Sequence, residues 1–310
     1  MYAQEHDGRW FSLWIESLAY RHALPLQAVT MLALAVLAGA AGRSVKIQPS
    51  TAPAINLGLN LILAGATDDI TRRLLSAFNQ LADPLRDLQA ELIERRDSRP
   101  PEAKTEYDRL LRQLHQLESS PFPDSTHVAH VRAQIRQHRL SERVQLIVTN
   151  LRSGQLASAV AMSPDESLLH VISDDVKFNQ RLRQAHSRPN VTDWDVLRAA
   201  YLNEPFCQPG TTLTPAISTV VICRGETLQR FCRHFGLQEQ GVAELFQPVY
   251  VGEAVREAGA GTGAAREVDL GEGGESQRRW AGLIRELVDG RFEVGAPRII
   301  RPTEEALRIS

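Results

Sequence analysis

Residues 57–75, LGLNLILAGATDDITRRLL, decide how the rest of the chain is read. An apolar run over 59–64 reaches a single glycine, Gly65, and a helix-like stretch expected from Thr71 follows a few residues later. That order of strand, glycine and helix is the setting in which amides at a helix start cradle phosphate. The side chains do not complete it. A loop of the form G-x-x-x-x-G-K-[ST] begun at Gly65 would need glycine at Ile70, lysine at Thr71 and a magnesium-binding hydroxyl at Arg72. The chain has only three lysines, Lys46, Lys104 and Lys177, and none is near this turn in sequence. Asp68 and Asp69 set carboxylates where a polyphosphate needs amides, and like charges repel strongly out of water. Arg72 and Arg73 supply nearby positive charge, but as forks rather than compact ammonium groups. Gly65, Thr67, Thr71 and Arg72 are therefore read as remnants of a nucleotide site, with the layout kept and the chemistry lost.

Downstream, short β-branched runs recur: RVQLIVTN at 143–150, LLHVISDD at 168–175, AISTVVICRG at 216–225 and FQPVYVGEA at 246–254. Helical stretches such as GQLASAVAM and DWDVLRAAYLN separate them. Continuous apolar strands alternating with helices predict an α/β fold with a mostly parallel sheet covered on both faces. The core is expected over 49–82 and 143–256.

Around that core the composition shifts. Residues 1–48 read as a helical preface, where Trp10, Phe11, Trp14, Ile15 and Leu18 have helical spacing. Residues 83–142 are charged and leucine-spaced, which predicts an antiparallel helical arm with Leu85, Leu88 and Leu92 facing Leu110, Leu111, Leu114 and Leu117. Such an arm is a place for a protein partner or a second copy to dock. AGAGTGAAREVDLGEGG, at 258–274, follows a helix-like stretch rather than a strand, so 257–276 reads as a flexible loop despite its GAGTGA. A helix over 277–288 and a strand-like RIIRPTEEALRI, in which Pro302-Thr303-Glu304-Glu305 resembles a helix start, make 277–310 a C-terminal helical extension.

With 35 basic and 37 acidic residues in 310, no global field draws the chain to nucleic acid, so any such contact must be local. RAQIRQHRLSER at 132–143 is that local candidate, through Arg132, Arg136, Arg139 and Arg143. Three cysteines without C-x-x-C spacing argue against a zinc site or a disulfide framework, and point to a cytoplasmic setting. The apolar stretch at 24–41 falls short of the ~20 residues of a membrane span. It reads as a buried helix with Pro25 in its first turn and Gly42 at its end, so no membrane is expected. His127, His130 and His138 read as surface residues rather than metal ligands, and His170 as a packed core histidine. Asp174 and Asp175, at the end of a strand, match the place where a magnesium-binding and a catalytic carboxylate would stand.

The order of these segments resembles a known family. Residues 24–47 follow "LP…ALAxLAGxxGRxVxI", 56–72 follow "NLxxLLxGxSGxGKS" and 148–160 loosely follow a strand leading to "TxExL". Residues 168–175 follow "LLLxSDE", 217–228 "LSVLxGxQPxxL" and 241–246 "GxxARF", before the ending PRIIRPTEEALRI. The chain so resembles the uncharacterised helicase-like P-loop ATPase domain of bacterial prophages, plasmids and other mobile elements, often fused to or beside a primase. The resemblance implies a P-loop NTPase-like, RecA-like sheet. It also implies that Thr71 and Arg72 stand where the family has lysine and hydroxyl, Asp175 where it has glutamate, and Arg224 where it has a polar sensor residue. The expectation is a non-catalytic ATPase-like subunit that serves interaction or assembly in a mobile-element replication machine, with no cofactor. Two alternatives are a DNA-dependent ATPase or helicase holding ATP and Mg through Arg72, Arg73 and Asp174, and a nucleic-acid-binding module using the arm's arginines.

Overall fold

Residues 60–65, NLILAG, are buried along their whole length and form the strand on which the fold turns. The computed structural model describes residues 9–48, 54–99, 102–119, 125–184, 193–208, 211–235, 243–252, 273–292 and 297–300. The chain begins with α1 (Arg9–His22), α2 (Leu26–Ala41), β1 (Val45–Ile47), β2 (Ile55–Asn56), β3 (Asn60–Gly65) and α3 (Asp68–Asp97). Then come α4 (Glu102–Glu118), α5 (Ser125–Glu142), β4 (Ile147–Thr149), α6 (Leu156–Ala161), β5 (Ser167–Ile172), α7 (Asp175–Gln184) and α8 (Asp193–Leu202). The remainder is β6 (Phe206–Gln208), β7 (Thr211–Leu213), β8 (Ala216–Arg224), α9 (Gly225–Phe235), a short 3-10 turn (Ala243–Leu245), β9 (Gln247–Val251), α10 (Gly273–Phe292) and β10 (Arg298–Ile300).

Among the described residues, five strands form one all-parallel sheet in the order β4-β5-β8-β3-β9. The four downstream runs predicted from sequence are four of these strands. Side chains alternate between the faces. Leu61, Leu63, Leu169, Val171, Val220 and Ile222 meet the helices α1, α2, α3 and α10. Ile62, Ala64, Leu168, Ile172, Val221 and Cys223 meet α6, α7, α8 and α9 instead. β1 pairs parallel with β10 and antiparallel with β2 in a small separate sheet.

The preface belongs to the core. In α2, ten of 16 residues are buried, and Gly39 lies so close to β5 that an added Cβ would meet Leu169 Cβ at 2.7 Å. Pro25 stands one position ahead of α2 as its cap, and Gly42 ends the helix with a φ of 53°. Phe11 and Trp14 pack on Trp280 of α10, whose indole N–H donates to the Leu81 carbonyl at 2.9 Å. Among the described residues no single helix is long and apolar enough to cross a membrane. α1 and α2 pass that test only as a pair bent by 119°.

The arm differs from the expectation. α3 is one helix of 30 residues that runs through Pro84, so the composition change at Asp83 marks no break. Proline removes one helical hydrogen bond, but Pro84, Leu85 and Leu88 are buried against the core and repay that loss. Gln89 Oε1 accepts the amides of Leu146 and Ile147 at 2.7 and 2.9 Å, tying the same stretch to the start of β4. The leucine seam thus forms between α4 and α5, where Leu110, Val131 and Ile135 are buried with Tyr107, Leu114 and Leu117 beside them. At the other end, α10 begins at Gly273, inside the stretch read as a loop, and the run read as strand-like forms a strand over 298–300. The rest of that loop (257–272), the helix start at 302–305 and Gly241 lie outside the described residues.

Candidate functional site

After β3 the chain passes to the face covered by α3, whereas after β8 it passes to the face covered by α9. The two strands are neighbours, with Gly65 opposite Arg224 at their carboxyl ends. Where adjacent parallel strands send their connections to opposite faces, a crevice opens beyond those ends, and in open α/β sheets ligands bind there. The sequence remnants converge on this place: Gly65, Thr67 and Thr71 from β3 and α3, Arg224 from β8, and Asp174 and Asp175 after β5.

The turn at Gly65 is too short for a phosphate cradle. Only Ala66 and Thr67 separate the strand from α3, which begins at Asp68 rather than at Thr71. Three amides in and just after the turn are used internally. Ala66 N–H donates to Val251 O at 2.9 Å, Ile70 N–H to Thr67 Oγ1 at 3.2 Å and Thr71 N–H to Thr67 O at 3.0 Å. Thr67 is thus the N-cap of α3, which satisfies a donor the helix would otherwise leave open. Gly65 is required by close approach, because a Cβ there would stand 2.6 Å from the Thr71 amide nitrogen. Thr71 Oγ1 donates to Thr67 O at 3.0 Å and reaches Cys223 O at 3.4 Å.

The charges at the turn are also paired. Arg72 reaches Asp69 at 3.3 Å and Arg73 pairs with the same carboxylate. Asp68 and Asp69 sit in the first turn of α3, where negative charge complements the helix dipole. The two arginines considered as phosphate ligands therefore lie along the helix with Asp69.

Asp174 and Asp175 have separate roles. Asp174 Oδ1 accepts the amides of Val176 and Lys177 at 2.8 and 3.2 Å and so caps α7. Asp175 turns toward β8. Its Oδ2 accepts from Arg224 Nε at 2.8 Å and its Oδ1 from the Arg224 backbone amide at 3.3 Å. This hydrogen bond, and then the charge of Asp175, raise the pKa of Arg224. The carboxylate that stands at the catalytic position is thus engaged by a guanidinium. Beside it, burial pushes the Cys223 thiol up to about 12. Tyr250, 61% exposed, walls the crevice opposite, with its ring 3.0 Å from where a Cβ on Gly225 would lie.

Of the arm arginines, Arg143 is half-buried and faces Glu166 at 3.9 Å. Arg132, Arg136 and Arg139 lie on α5, and their side chains are outside the described residues. His127 and His130 are exposed. Among the described residues no three His, Cys, Asp or Glu side chains are grouped as a metal site.

A buried polar hub was not legible in the sequence. Arg181 of α7 is 4% exposed and holds the Leu151 carbonyl at 2.9 Å, His170 Nε2 at 3.2 Å and Asp193 Oδ2 at 3.4 Å. Asp193 accepts the amides of Gly154 and Leu156 at 3.1 Å each, capping α6 from 37 residues away. Burial, and then the neighbouring Arg181 charge, drive the His170 pKa well below the usual histidine range. Only the three-dimensional placement of α7 and α8 gathers these groups. The sequence showed only His170 as a core histidine, which is buried as read, and the acid at the start of DWDVLRAAYLN, which reads equally as a local helix start.

No family model matches the chain, and no curated protein or solved structure matches it either.

Proposed function

We propose that the chain is a non-catalytic P-loop ATPase-like protein that acts as an interaction or assembly subunit in the replication machinery of a mobile element. The observation that carries the non-catalytic part is the Arg224 clamp on Asp175 at the switch point. A five-stranded parallel sheet with β8 between the glycine strand and the acidic strand is compatible with a RecA-like ancestry. The two-residue turn carries neither the second glycine nor the lysine that a triphosphate loop needs, and the Asp175 carboxylate is engaged from within by Arg224. The mobile-element setting rests on the motif resemblance alone, and the assembly role on the framework outlasting the chemistry.

Titration of the purified protein with fluorescent ATP and Mg2+ is expected to give no saturable binding and no phosphate release. Saturable micromolar binding that Asp174→Ala abolishes would instead support the DNA-dependent ATPase or helicase. Arg224→Ala separates the two obstacles. It removes the guanidinium but keeps the Thr67-capped turn, so nucleotide binding should stay absent. The assembly part calls for affinity purification with the whole chain against one lacking residues 102–142, with partner recovery expected to depend on the α4–α5 hairpin.

A further inference from the structure

Beneath α7 and α8, one face of the sheet carries a row of polar side chains. The register sets Asn60 of β3 beside Thr219 of β8, and Thr219 beside His170 of β5. All three are buried, Thr219 and His170 completely. Asn60 Oδ1 is occupied by the Thr219 amide at 3.1 Å. At the other end, Arg181 Nη1 donates to His170 Nε2 at 3.2 Å. Arginine has hydrogens only to give, so Nε2 accepts and the imidazole hydrogen sits on Nδ1.

Two atoms in the middle of this row are left over. Among the described residues, His170 Nδ1 and Thr219 Oγ1 are fully buried, and neither has a hydrogen-bond partner within the protein. Buried polar groups in native interiors almost always find a protein or water partner. The two residues are register neighbours on one face, on strands roughly 4.8 Å apart. The two atoms do not bond each other, and one small molecule that hydrogen-bonds both would satisfy the pair. The occupant must accept from an imidazole N–H and exchange a hydrogen bond with a hydroxyl. A cation is disfavoured, because Nδ1 carries a hydrogen and the Arg181 charge is close by. Apolar Leu168, Ile172, Ile217 and Val221 flank the row on the same face and exclude a larger polar ligand.

We propose that a single water molecule is bound between His170 Nδ1 and Thr219 Oγ1 as an internal ligand of the fold. It accepts the Nδ1 hydrogen and bonds the threonine hydroxyl. In doing so it holds the imidazole with Nε2 toward Arg181, the residue that in turn meets Asp193 and the start of α8.

A crystal structure at a resolution that shows ordered water is expected to place one oxygen within hydrogen-bonding distance of both atoms. Empty density there, or a direct contact between the two side chains, overturns the proposal. Thermal unfolding gives a second, independent sign. Thr219→Val keeps the shape but removes the hydroxyl, so with the water present the Tm falls by roughly 2–4 °C, because the water and His170 lose a partner. In a dry site the same substitution deletes an unpaired hydroxyl and the Tm rises, which also overturns it. Thr219→Ser is expected to keep the water.

Discussion

The two faces of the central sheet are covered in different ways. Against α1, α2, α3 and α10 the sheet presents Leu61, Leu63, Leu169, Val171, Val220 and Ile222, and cohesion comes mainly from apolar packing with a close approach at Gly39, the buried Arg291 of α10 being held at one end by Asp165 and the Gly39 and Ser167 carbonyls. Against α6, α7, α8 and α9 an apolar layer is crossed by Asn60, Thr219 and His170, with the Arg181 and Asp193 charges sealed above it. The first face tolerates loss of atoms in proportion to volume. The second depends on complete pairing, because an orphaned buried charge costs far more than the net value of the pair.

The largest effect is expected where the second face loses a partner. Asp193→Ala leaves Arg181 buried without its carboxylate and uncaps α6, and should cost about 3–5 kcal/mol by chemical denaturation. A change below about 1 kcal/mol would show that the hub is not sealed from water. On the apolar face, Trp280→Ala opens a cavity beneath Phe11 and Trp14 and removes the bond to Leu81 O, for about 3–4 kcal/mol. Because that cost scales with cavity size, Trp280→Phe should recover more than half of it, whereas Asp193→Asn should recover little.

The smallest effect is a pH dependence confined to the second face. His170 is held neutral in the folded chain, while in the unfolded chain it takes up a proton near pH 6.5. Below that pH the unfolded state binds the extra proton, so stability present above about 6.5 is lost as pH falls toward the lowered folded value. The slope approaches about 1.4 kcal/mol per pH unit. Denaturation of the wild type and of His170→Gln between pH 7 and pH 5 should differ by this slope, and parallel curves would show that His170 titrates normally.

The parallel sheet was legible because fully buried strands write themselves as unbroken β-branched runs, as AISTVVICRG does. The arm was read less well. Leucines at 85 and 88 have the same spacing whether they face a neighbouring arm helix or the core, and only the position of α10 and β4 assigns them to the core. For the crevice, the absent lysine and hydroxyl at Thr71 and Arg72 were visible, since a missing group needs no geometry to be missed. What fills the site was not visible. Arg72 and Arg73 pair with Asp69 only because α3 starts at Asp68 rather than at Thr71, and Arg224 meets an acid 49 residues away.

By itself, then, the sequence determined the period of its apolar residues, and with it the kind of sheet and the helices on either side, because burial of a strand or a helix face is a local pattern. The tertiary structure alone decided which charges are partnered. Arg224 with Asp175, Arg181 with Asp193 and His170 beside Thr219 are all contacts between distant segments, and the energy of such a pair depends on distance and exclusion of water, which the order of residues along a chain does not encode.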